Sequence, residues 1–161
     1  MTSVYKEVAE VMADLQHCVA LTGAGISAES GIATFRSKGG LWEKYDPMVY
    51  ASIEAFREDP AKYWTIRGEF IRNTVLFGEQ LPRDALETAY HQSTACKLML
   101  VIGTSAVVQP AASLPALARQ EGAKIVEVNI ERAFPGADYV IEEKAGTGLS
   151  KILEEIKKIV G

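Results

Sequence analysis

The sequence has few cysteines, few histidines and no long hydrophobic run. Its two cysteines, Cys18 and Cys96, lie far apart and form no Cys-x-x-Cys pair, so the sequence offers no zinc site. Each begins a predicted strand, and we expect both thiols to be buried. No apolar stretch approaches the roughly 20 residues that span a bilayer, and the N-terminal residues lack the layout of a signal peptide. These absences predict a cytoplasmic protein without a membrane partner.

The net charge and the length of the chain exclude further classes of protein. The formal net charge of −4 gives no electrostatic reason to expect nucleic acid as a direct partner. With 161 residues, 48% hydrophobic and 24% charged, the chain has the size and composition of one soluble globular domain that buries its own core. Neither histidine indicates catalysis, because His17 has no acid or nucleophile beside it and His91 lies among polar residues of a predicted helix.

The most informative stretch is an apolar run, 18–22, that ends in a glycine-rich turn. A short run bounded by turn residues predicts a buried strand of a parallel sheet. Gly23 and Gly25 allow the backbone to turn tightly and to approach a ligand that a Cβ would push away. The next residues can begin a helix whose free N–H groups face that ligand. The turn therefore predicts a phosphate site, with a turn that binds no ligand as the alternative.

The same turn matches the loose dinucleotide fingerprint Gly-x-Gly-x-x-Ala, with Ala28 in the last place. The acid that usually follows a second strand is not evident. Asp46 has about the right spacing, but residues 37–42 form a glycine-bearing loop rather than a strand. An ordinary dehydrogenase site is therefore doubtful.

Alternating strands and helices predict an α/β fold, a Rossmann-like parallel sheet with helices on both faces. Helices are predicted at 4–15, 49–57, 60–71, 83–93, 110–120 and after Lys144, and strands at 18–22, 97–102, 124–129 and 137–141. The closing helix is expected to bury Leu149, Ile152, Leu153, Ile156 and Ile159. Strand ends are followed by Gly23, Gly103, Asn129 and Ala145. Since ligands of open parallel sheets bind at that edge, this convergence favours a ligand site.

An irregular segment, 34–47, follows the glycine turn. In it, Phe35 could cover a flat ring and Arg36 could pair with a phosphate or a carboxylate. The alternative is that Phe35, Trp42 and Tyr45 fill a small satellite core while Arg36 is solvated.

Several stretches together resemble the sirtuins, the NAD-dependent protein lysine deacylases. The first is the glycine-rich run 23–32, followed by Thr34-Phe35-Arg36 and Gly40-Leu41-Trp42. Similar to later sirtuin motifs, and in the same order, are Val75-Leu76-Phe77-Gly78-Glu79, Gly103-Thr104-Ser105, Val126-Glu127-Val128-Asn129 and Lys144-Ala145-Gly146. The first motif is long and specific, and the match covers essentially the whole chain. The resemblance implies transfer of an acyl group from lysine to ADP-ribose with release of nicotinamide.

The resemblance also implies NAD as the cofactor and a set of site residues. The cofactor-binding residues would be Gly23, Ala24, Gly25 and Ser27 at the pyrophosphate, Ile32, Phe35, Arg36 and Tyr45 in and around the cofactor loop, Gly103, Thr104 and Ser105 at phosphate and ribose, Asn129 at a ribose hydroxyl, and Ala145 near adenine. An extended acyl-lysine peptide would be flanked by Val75, Phe77, Gly78 and Val107. Acetyl-lysine is the expected substrate, because the region of Arg67 and Phe70 lacks the tyrosine and arginine pair of sirtuins selective for acidic acyl groups.

The sequence departs from the sirtuin pattern before residue 75. Sirtuins carry there a Gln-Asn-x-Asp strand end, a His-Gly pair that supplies the catalytic base, and usually two Cys-x-x-Cys pairs that hold structural zinc, and this chain has none of them. No catalytic residue can therefore be named, and the zinc expected for the family has no ligands. We predict one NAD-binding domain, 1–161, with the small zinc-type domain missing and a segment absent between Asn73 and Thr74.

Three explanations of that gap stay open: residues of the protein beyond the 161 of the sequence, an engineered deletion, or a natural minimal protein. The first would make the protein a complete deacylase. Without those residues the chain is expected to be inactive, and the alternative function is a module that binds NAD or ADP-ribose without catalysis.

Overall fold

The computed structural model describes residues 2–15, 17–31, 34–36, 38–67 and 77–161. The chain forms two compact units, the first from Met1–Ile32 with Glu87–Gly161 and the second from Ala33–Leu86. The predicted gap between Asn73 and Thr74 lies outside the described residues, as do the predicted site residues Ile32 and Val75.

A four-stranded parallel sheet forms the centre of the first unit. Its strands are β1 (Cys18–Thr22), β2 (Leu98–Ile102), β3 (Lys124–Asn129) and β4 (Tyr139–Glu142), in the spatial order β1-β2-β3-β4. Thr22 pairs with Ile102, and Ile102 with Val128. This register brings the residues after β1, β2 and β3 to one edge of the sheet. The predicted Rossmann-like parallel sheet is confirmed.

Helices cover both faces of this sheet, as the sequence predicts. Helices α1 (Val4–Asp14) and α8 (Ala145–Val160) lie on one face, where Val8 and Ile152 pack against Leu98, Leu100 and Val126. On the other face, Leu114 and Ala118 of α7 (Leu114–Gln120) pack against Met99, Val101 and Ile125. Strand β2 is buried over its whole length, because alternate side chains enter the two cores.

Three predictions about the first unit are wrong in detail. Within the described sheet β1 has a neighbour on one side only, and the side chains on one of its faces, Cys18, Ala20 and Thr22, are exposed. The predicted burial of the Cys18 thiol is therefore wrong. Leu153 and Ile159 of α8 are exposed, since they extend the apolar stripe beyond the sheet surface that α8 covers. The segment predicted as a helix at 110–120 begins with a 3-10 turn, Ala111–Ser113, before α7.

The second unit consists of short helices: α2 (Leu41–Lys44), α3 (Pro47–Tyr50), α4 (Ile53–Glu58) and α5 (Pro60–Arg67). The helix predicted at 49–57 is interrupted because the Ser52 hydroxyl accepts from the N–H of Ala55 and so begins a new helix. Phe77 pairs with this break, donating to the carbonyl of Ala51 and accepting from the N–H of Ile53 at 3.0 and 2.9 Å. Helix α6 (Arg83–Ala95) spans the boundary at 86–87 and returns the chain to the sheet.

The aromatic face of α5 is only partly buried. Tyr63 is buried and packs edge-on against Phe56, with ring centroids 5.0 Å apart, whereas Trp64 is 57% exposed. Helix α5 therefore buries one of these two aromatic rings and exposes the other. None of the helices in the described part of the chain is long and apolar enough to cross a bilayer.

Candidate functional site

The glycine turn after β1 packs against the turn after β2. The N–H of Gly23 donates to Ile102 O at 3.0 Å, and the N–H of Gly25 donates to Gly103 O at 2.8 Å. The N–H of Gly103 in turn donates to Val128 O at 3.1 Å. The structure thus brings together three of the four predicted strand-end segments by backbone hydrogen bonds alone.

Glycine is required here by the protein itself. A Cβ on Gly23 would lie 2.6 Å from Gly103 O, and a Cβ on Gly25 would lie 2.7 Å from the same atom. Gly103 has φ +57°, which disfavours any side chain, and its Cβ would lie 2.7 Å from the N of Ile26. The space that the sequence interpretation left for a ligand is, at these positions, filled by the neighbouring turn. Close approach of the two turns therefore explains the glycines whether or not a ligand is bound.

A 3-10 helix, Ala24–Ser30, follows the first turn in place of the expected α-helix. It contains the predicted residues Ala24, Gly25 and Ser27, of which Ser27 is half-buried. Gly31 ends it in the left-handed conformation, with φ +80°, and donates to Ala28 O at 3.1 Å.

Asn129 connects the end of β3 to the turn after β2. Its side chain is buried, and its Nδ2 donates to Thr104 O at 2.6 Å and to Glu127 Oε1 at 3.3 Å. The Thr104 hydroxyl accepts from the N–H of Ala106 at 3.1 Å, and Ala106 has φ +47°, a strained value for a residue with a Cβ. Ser105 lies exposed in this turn. Gly103, Thr104, Ser105 and Asn129 thus form one connected group.

Glu127 is a functional candidate that sequence reasoning missed. It is fully buried on β3, and its carboxylate accepts from Asn129 and from the N–H groups of Ala133 and Phe134, at 2.5 and 3.2 Å. An acid inside an otherwise apolar strand was the available signal, because a carboxylate is buried only where donors meet it.

Glu29 is the second residue that the sequence analysis missed. Its Oε2 accepts a 2.6 Å hydrogen bond from the N–H of Gly146, in the first turn of α8. The contact ties the 3-10 helix after β1 to the start of α8, where the predicted residue Ala145 is buried. Nothing in the sequence motif indicates this partner 117 residues away.

Five of the predicted residues that the structure describes lie in the second unit. Phe35 stacks on Trp42, with centroids 5.3 Å apart, and Tyr45 packs edge-on against Tyr50. Gly78 has φ +85°. Arg36 is exposed. Phe77 forms the backbone pairing at Ser52 described above. Val107, by contrast, belongs to the first unit, where it is 61% exposed.

The cysteines and histidines do not fit a zinc site or a catalytic base. Cys18 is exposed on β1, whereas Cys96 is buried and its Sγ donates to Ser93 O at 3.3 Å. Partial burial raises the pKa of the Cys18 thiol, and burial raises the pKa of the Cys96 thiol. His17 Nε2 pairs with Gln92 Oε1 at 3.0 Å. Among the described residues, no three His, Cys, Asp or Glu side chains are grouped so as to hold a metal ion.

Comparison with known proteins gives consistent matches. The sequence model of the Sir2 family matches this chain at residues 23–73 and 66–110. NAD-dependent protein deacylase 2 of Pyrobaculum aerophilum is 31% identical over 237 aligned positions, covering 94% of this chain and 95% of the relative. NAD-dependent protein deacylase 2 of Archaeoglobus fulgidus is 31% identical over 244 positions, covering 96% of each chain.

Solved structures agree with these matches. A structure from work on the mechanism and regulation of Sir2 enzymes is 30% identical, with a TM-score of 0.89 and coverage of 99% of this chain and 100% of that one. A Sir2 homolog–NAD complex is 28% identical, with a TM-score of 0.82 and coverage of 97% and 95%.

Proposed function

From the premise that the chain belongs to the Sir2 family, we propose that it carries the cofactor site of an NAD-dependent protein lysine deacetylase. The observation that carries the proposal is the connected group of turns after β1, β2 and β3, joined through Gly25, Gly103 and Asn129. These turns stand at the carboxyl edge of a parallel sheet, where such sheets bind nucleotides. The names of the curated relatives and the NAD complex of a similar structure support the same cofactor.

Different residues of the first unit would contact different parts of the cofactor. The pyrophosphate would contact the turn that begins with Gly23 and continues through Ala24, Gly25 and Ser27, whose backbone N–H groups suit an anion. Thr104 and Ser105 would contact phosphate and ribose, Asn129 a ribose hydroxyl, and Ala145 the region of the adenine. Bound NAD would supply the nicotinamide leaving group and the ADP-ribose that receives the acyl group.

Phe77 pairs with the break at Ser52, and Val107 has an exposed apolar side chain after β2. From the likeness of their motifs to those of sirtuins, we propose that Val75, Phe77, Gly78 and Val107 flank an extended acyl-lysine peptide and that Phe35, Arg36 and Tyr45 belong to the cofactor loop. The curated relatives are named protein deacylases, which supports an acylated protein or peptide as the substrate.

The 161-residue chain supplies no base for this chemistry, which favours a second candidate, a module that binds NAD or ADP-ribose without catalysis. His17 precedes β1, whereas the glycine turn follows it, so about 16 Å of strand separates them. His17 is moreover engaged with Gln92 on α6, and His91 is an exposed residue of the same helix.

Four measurements on one sample test the proposal: nucleotide binding, intact mass, nicotinamide release and acyl preference. Calorimetry should detect binding of NAD and ADP-ribose, because the described turns are complete. Nicotinamide release with an acetyl-lysine peptide should be absent when the intact mass is near 17.5 kDa, and present when it is tens of residues larger. If a larger protein is active, acetyl-lysine should turn over faster than succinyl-lysine. Failure of the chain to bind either nucleotide would remove both candidate functions.

A further inference from the structure

Both N–H donors of the Asn129 side chain are occupied by acceptors of the protein. Nδ2 lies 2.6 Å from Thr104 O and 3.3 Å from Glu127 Oε1. The Thr104 carbonyl oxygen can only accept, and Glu127 Oε1 already accepts from the N–H of Ala133. A single orientation of the amide therefore satisfies both contacts, with its nitrogen turned towards them. The Oδ1 atom is therefore what Asn129 can offer to a ligand, and Oδ1 can only accept a hydrogen bond.

The buried carboxylate of Glu127 keeps the Asn129 amide in this orientation. Its side chain is fully buried, and its oxygens accept from Asn129 and from the N–H groups of Ala133 and Phe134. Three N–H donors thus satisfy the buried oxygens of this carboxylate. The same carboxylate therefore fixes the amide of Asn129 and the chain segment that follows β3.

Asn129 in turn constrains the turn after β2 through a hydrogen bond. It donates to Thr104 O, and the Thr104 hydroxyl accepts from the N–H of Ala106, whose φ is +47°. A residue with a Cβ keeps such a conformation only where its surroundings impose it. The strained turn therefore depends on Asn129, and the orientation of Asn129 depends on Glu127.

We propose that Glu127 is a positioning residue of the nucleotide site. It orients Asn129 so that Oδ1 alone accepts a hydrogen bond from a ribose hydroxyl of the ligand, and through Asn129 it holds the turn at 104–106. The proposal rests on the proposed function, since NAD or ADP-ribose is the ligand. If Glu127 instead only anchors the segment after β3, its removal weakens binding independently of Asn129.

Calorimetric titration with ADP-ribose of variants that exchange amide and acid side chains separates these roles. Glu127→Gln places a donor against the N–H of Phe134 or the amide of Asn129 and should weaken binding about tenfold. Asn129→Asp keeps an acceptor for the ligand but loses both donors and sets two carboxylates side by side, which should weaken binding about a hundredfold. In the variant that carries both substitutions, the introduced amide can donate to the introduced carboxylate. That double variant should recover about tenfold of the Asn129→Asp loss.

The matched control is Glu142→Gln. Glu142 pairs in register with Asn129 on the next strand but is exposed, so its neutralisation should leave the ADP-ribose affinity unchanged. Losses that simply add in the double variant would overturn the positioning role while leaving the proposed function in place. Absence of ADP-ribose binding by the unsubstituted protein would instead defeat the proposed function, and the inference with it.

A measurement on the unsubstituted protein keeps the proposal testable if Glu127→Gln does not fold. The sequence contains two asparagines, Asn73 and Asn129, so 15N labelling of the asparagine side chains gives two pairs of amide proton signals, and Asn73→Ser identifies the pair of Asn129. The Asn129 amide protons should exchange slowly with solvent and stay protected when ADP-ribose saturates the site, because they bond to Thr104 and Glu127. Fast exchange in the free protein would overturn the proposal.

Discussion

The Oε2 atom of Glu29 accepts a 2.6 Å hydrogen bond from the N–H of Gly146, which joins the 3-10 helix after β1 to the first turn of α8. The first N–H groups of a helix lack partners within it, and its N-terminus favours negative charge. Glu29 therefore acts as an N-terminal cap supplied from a distant part of the chain.

Replacing Glu29 should loosen this connection. We expect Glu29→Ala to lower the free energy of unfolding by about 1 kcal/mol, the usual effect of losing such a cap, measured by urea denaturation. Glu131→Ala, at an exposed position after β3, is the control and should change stability little. An equal loss in both variants would contradict the capping role.

Gly146→Ala tests the same contact from the helix side. A Cβ there would lie 2.7 Å from Glu29 Oε2 and would push the carboxylate away. The substitution should therefore be more favourable in the Glu29→Ala background than in the unsubstituted protein, by about 1 kcal/mol. Equal effects of Gly146→Ala in the two backgrounds would show that the residues are not coupled.

The packing of Gly25 on Gly103 predicts a joint loss of stability and binding. Gly25→Ala brings a Cβ to 2.7 Å from Gly103 O and 2.8 Å from its Cα, so one turn must move, at a cost of about 1–3 kcal/mol. Gly25→Val should abolish NAD binding. Binding is measured by calorimetry and stability by urea denaturation, and NAD affinity in Gly25→Val equal to that of the unsubstituted protein would contradict a phosphate-binding turn.

Gly122 supplies the matched control. It has φ +89° but no atom within 4 Å of the place that a Cβ would take. Gly122→Ala should therefore cost about 1 kcal/mol of stability through backbone strain alone, with NAD affinity unchanged.

Strand composition predicted the sheet better than it predicted burial. The apolar run of β2 predicted a strand, and the structure buries it over its whole length, whereas β3 is buried from Ile125 to Asn129 although it carries Glu127. The run of β1 is equally apolar, yet its Cys18 side is exposed, because β1 has a neighbour on one side only within the described sheet. An apolar run shows that the side chains of a strand are suited to burial. Whether they are buried depends on the position of the strand in the sheet, which the run itself does not encode.

The candidate site was predictable to a similar extent. Glycine and hydroxyl residues after strands indicated the turns at Gly23 and Gly103, since parallel strands deliver such residues to one edge. The partners of Glu29 and Glu127 could not be predicted, because the Gly146 N–H and the backbone beside Ala133 reach them only through the tertiary fold. The interruption at Ser52 was missed because helical spacing continues across a cap.

The Glu143–Lys151 pair predicts a pH-dependent contribution to stability. The hydrogen bond from Lys151 holds the pKa of Glu143 below its ordinary value, and the hydrogen bond to Glu143 holds the pKa of Lys151 above its own. The Glu143 contribution is present above about pH 4.3 and is lost as the pH falls through its lowered pKa. The Lys151 contribution is present below about pH 10.4 and is lost as the pH rises through its raised pKa.

Glu143→Gln should therefore reduce the free energy of unfolding near pH 7, and the difference from the unsubstituted protein should vanish in strong acid. Urea denaturation between about pH 2 and 9 measures this difference. Glu10→Gln is the control, because Glu10 lies 3.8 Å from Lys6 in an exposed pair of one helix and should contribute less. A Glu143→Gln difference that persists unchanged in acid would exclude the ion pair as its cause.

The two cysteine thiols should differ in reactivity, because Cys18 is exposed on β1 and Cys96 lies in the core. Cys18 is exposed on β1, whereas Cys96 is 1% exposed in the core between α7 and β2. With a disulfide reagent, one thiol per chain should react in the native protein and the second only after unfolding. Cys18→Ser should remove the native reaction, and Cys96→Ser should keep it.

The rate of the native reaction should also depend on pH in a defined direction. Partial burial raises the pKa of the Cys18 thiol, and the reactive form is the thiolate. Cys18 should therefore react more slowly at pH 7 than a free cysteine, whose pKa is about 8.5, and should accelerate as the pH rises past that value. Equal rates for both thiols in the native protein would contradict an exposed β1 edge beside a closed core, because each accessible thiol would then meet the reagent without unfolding.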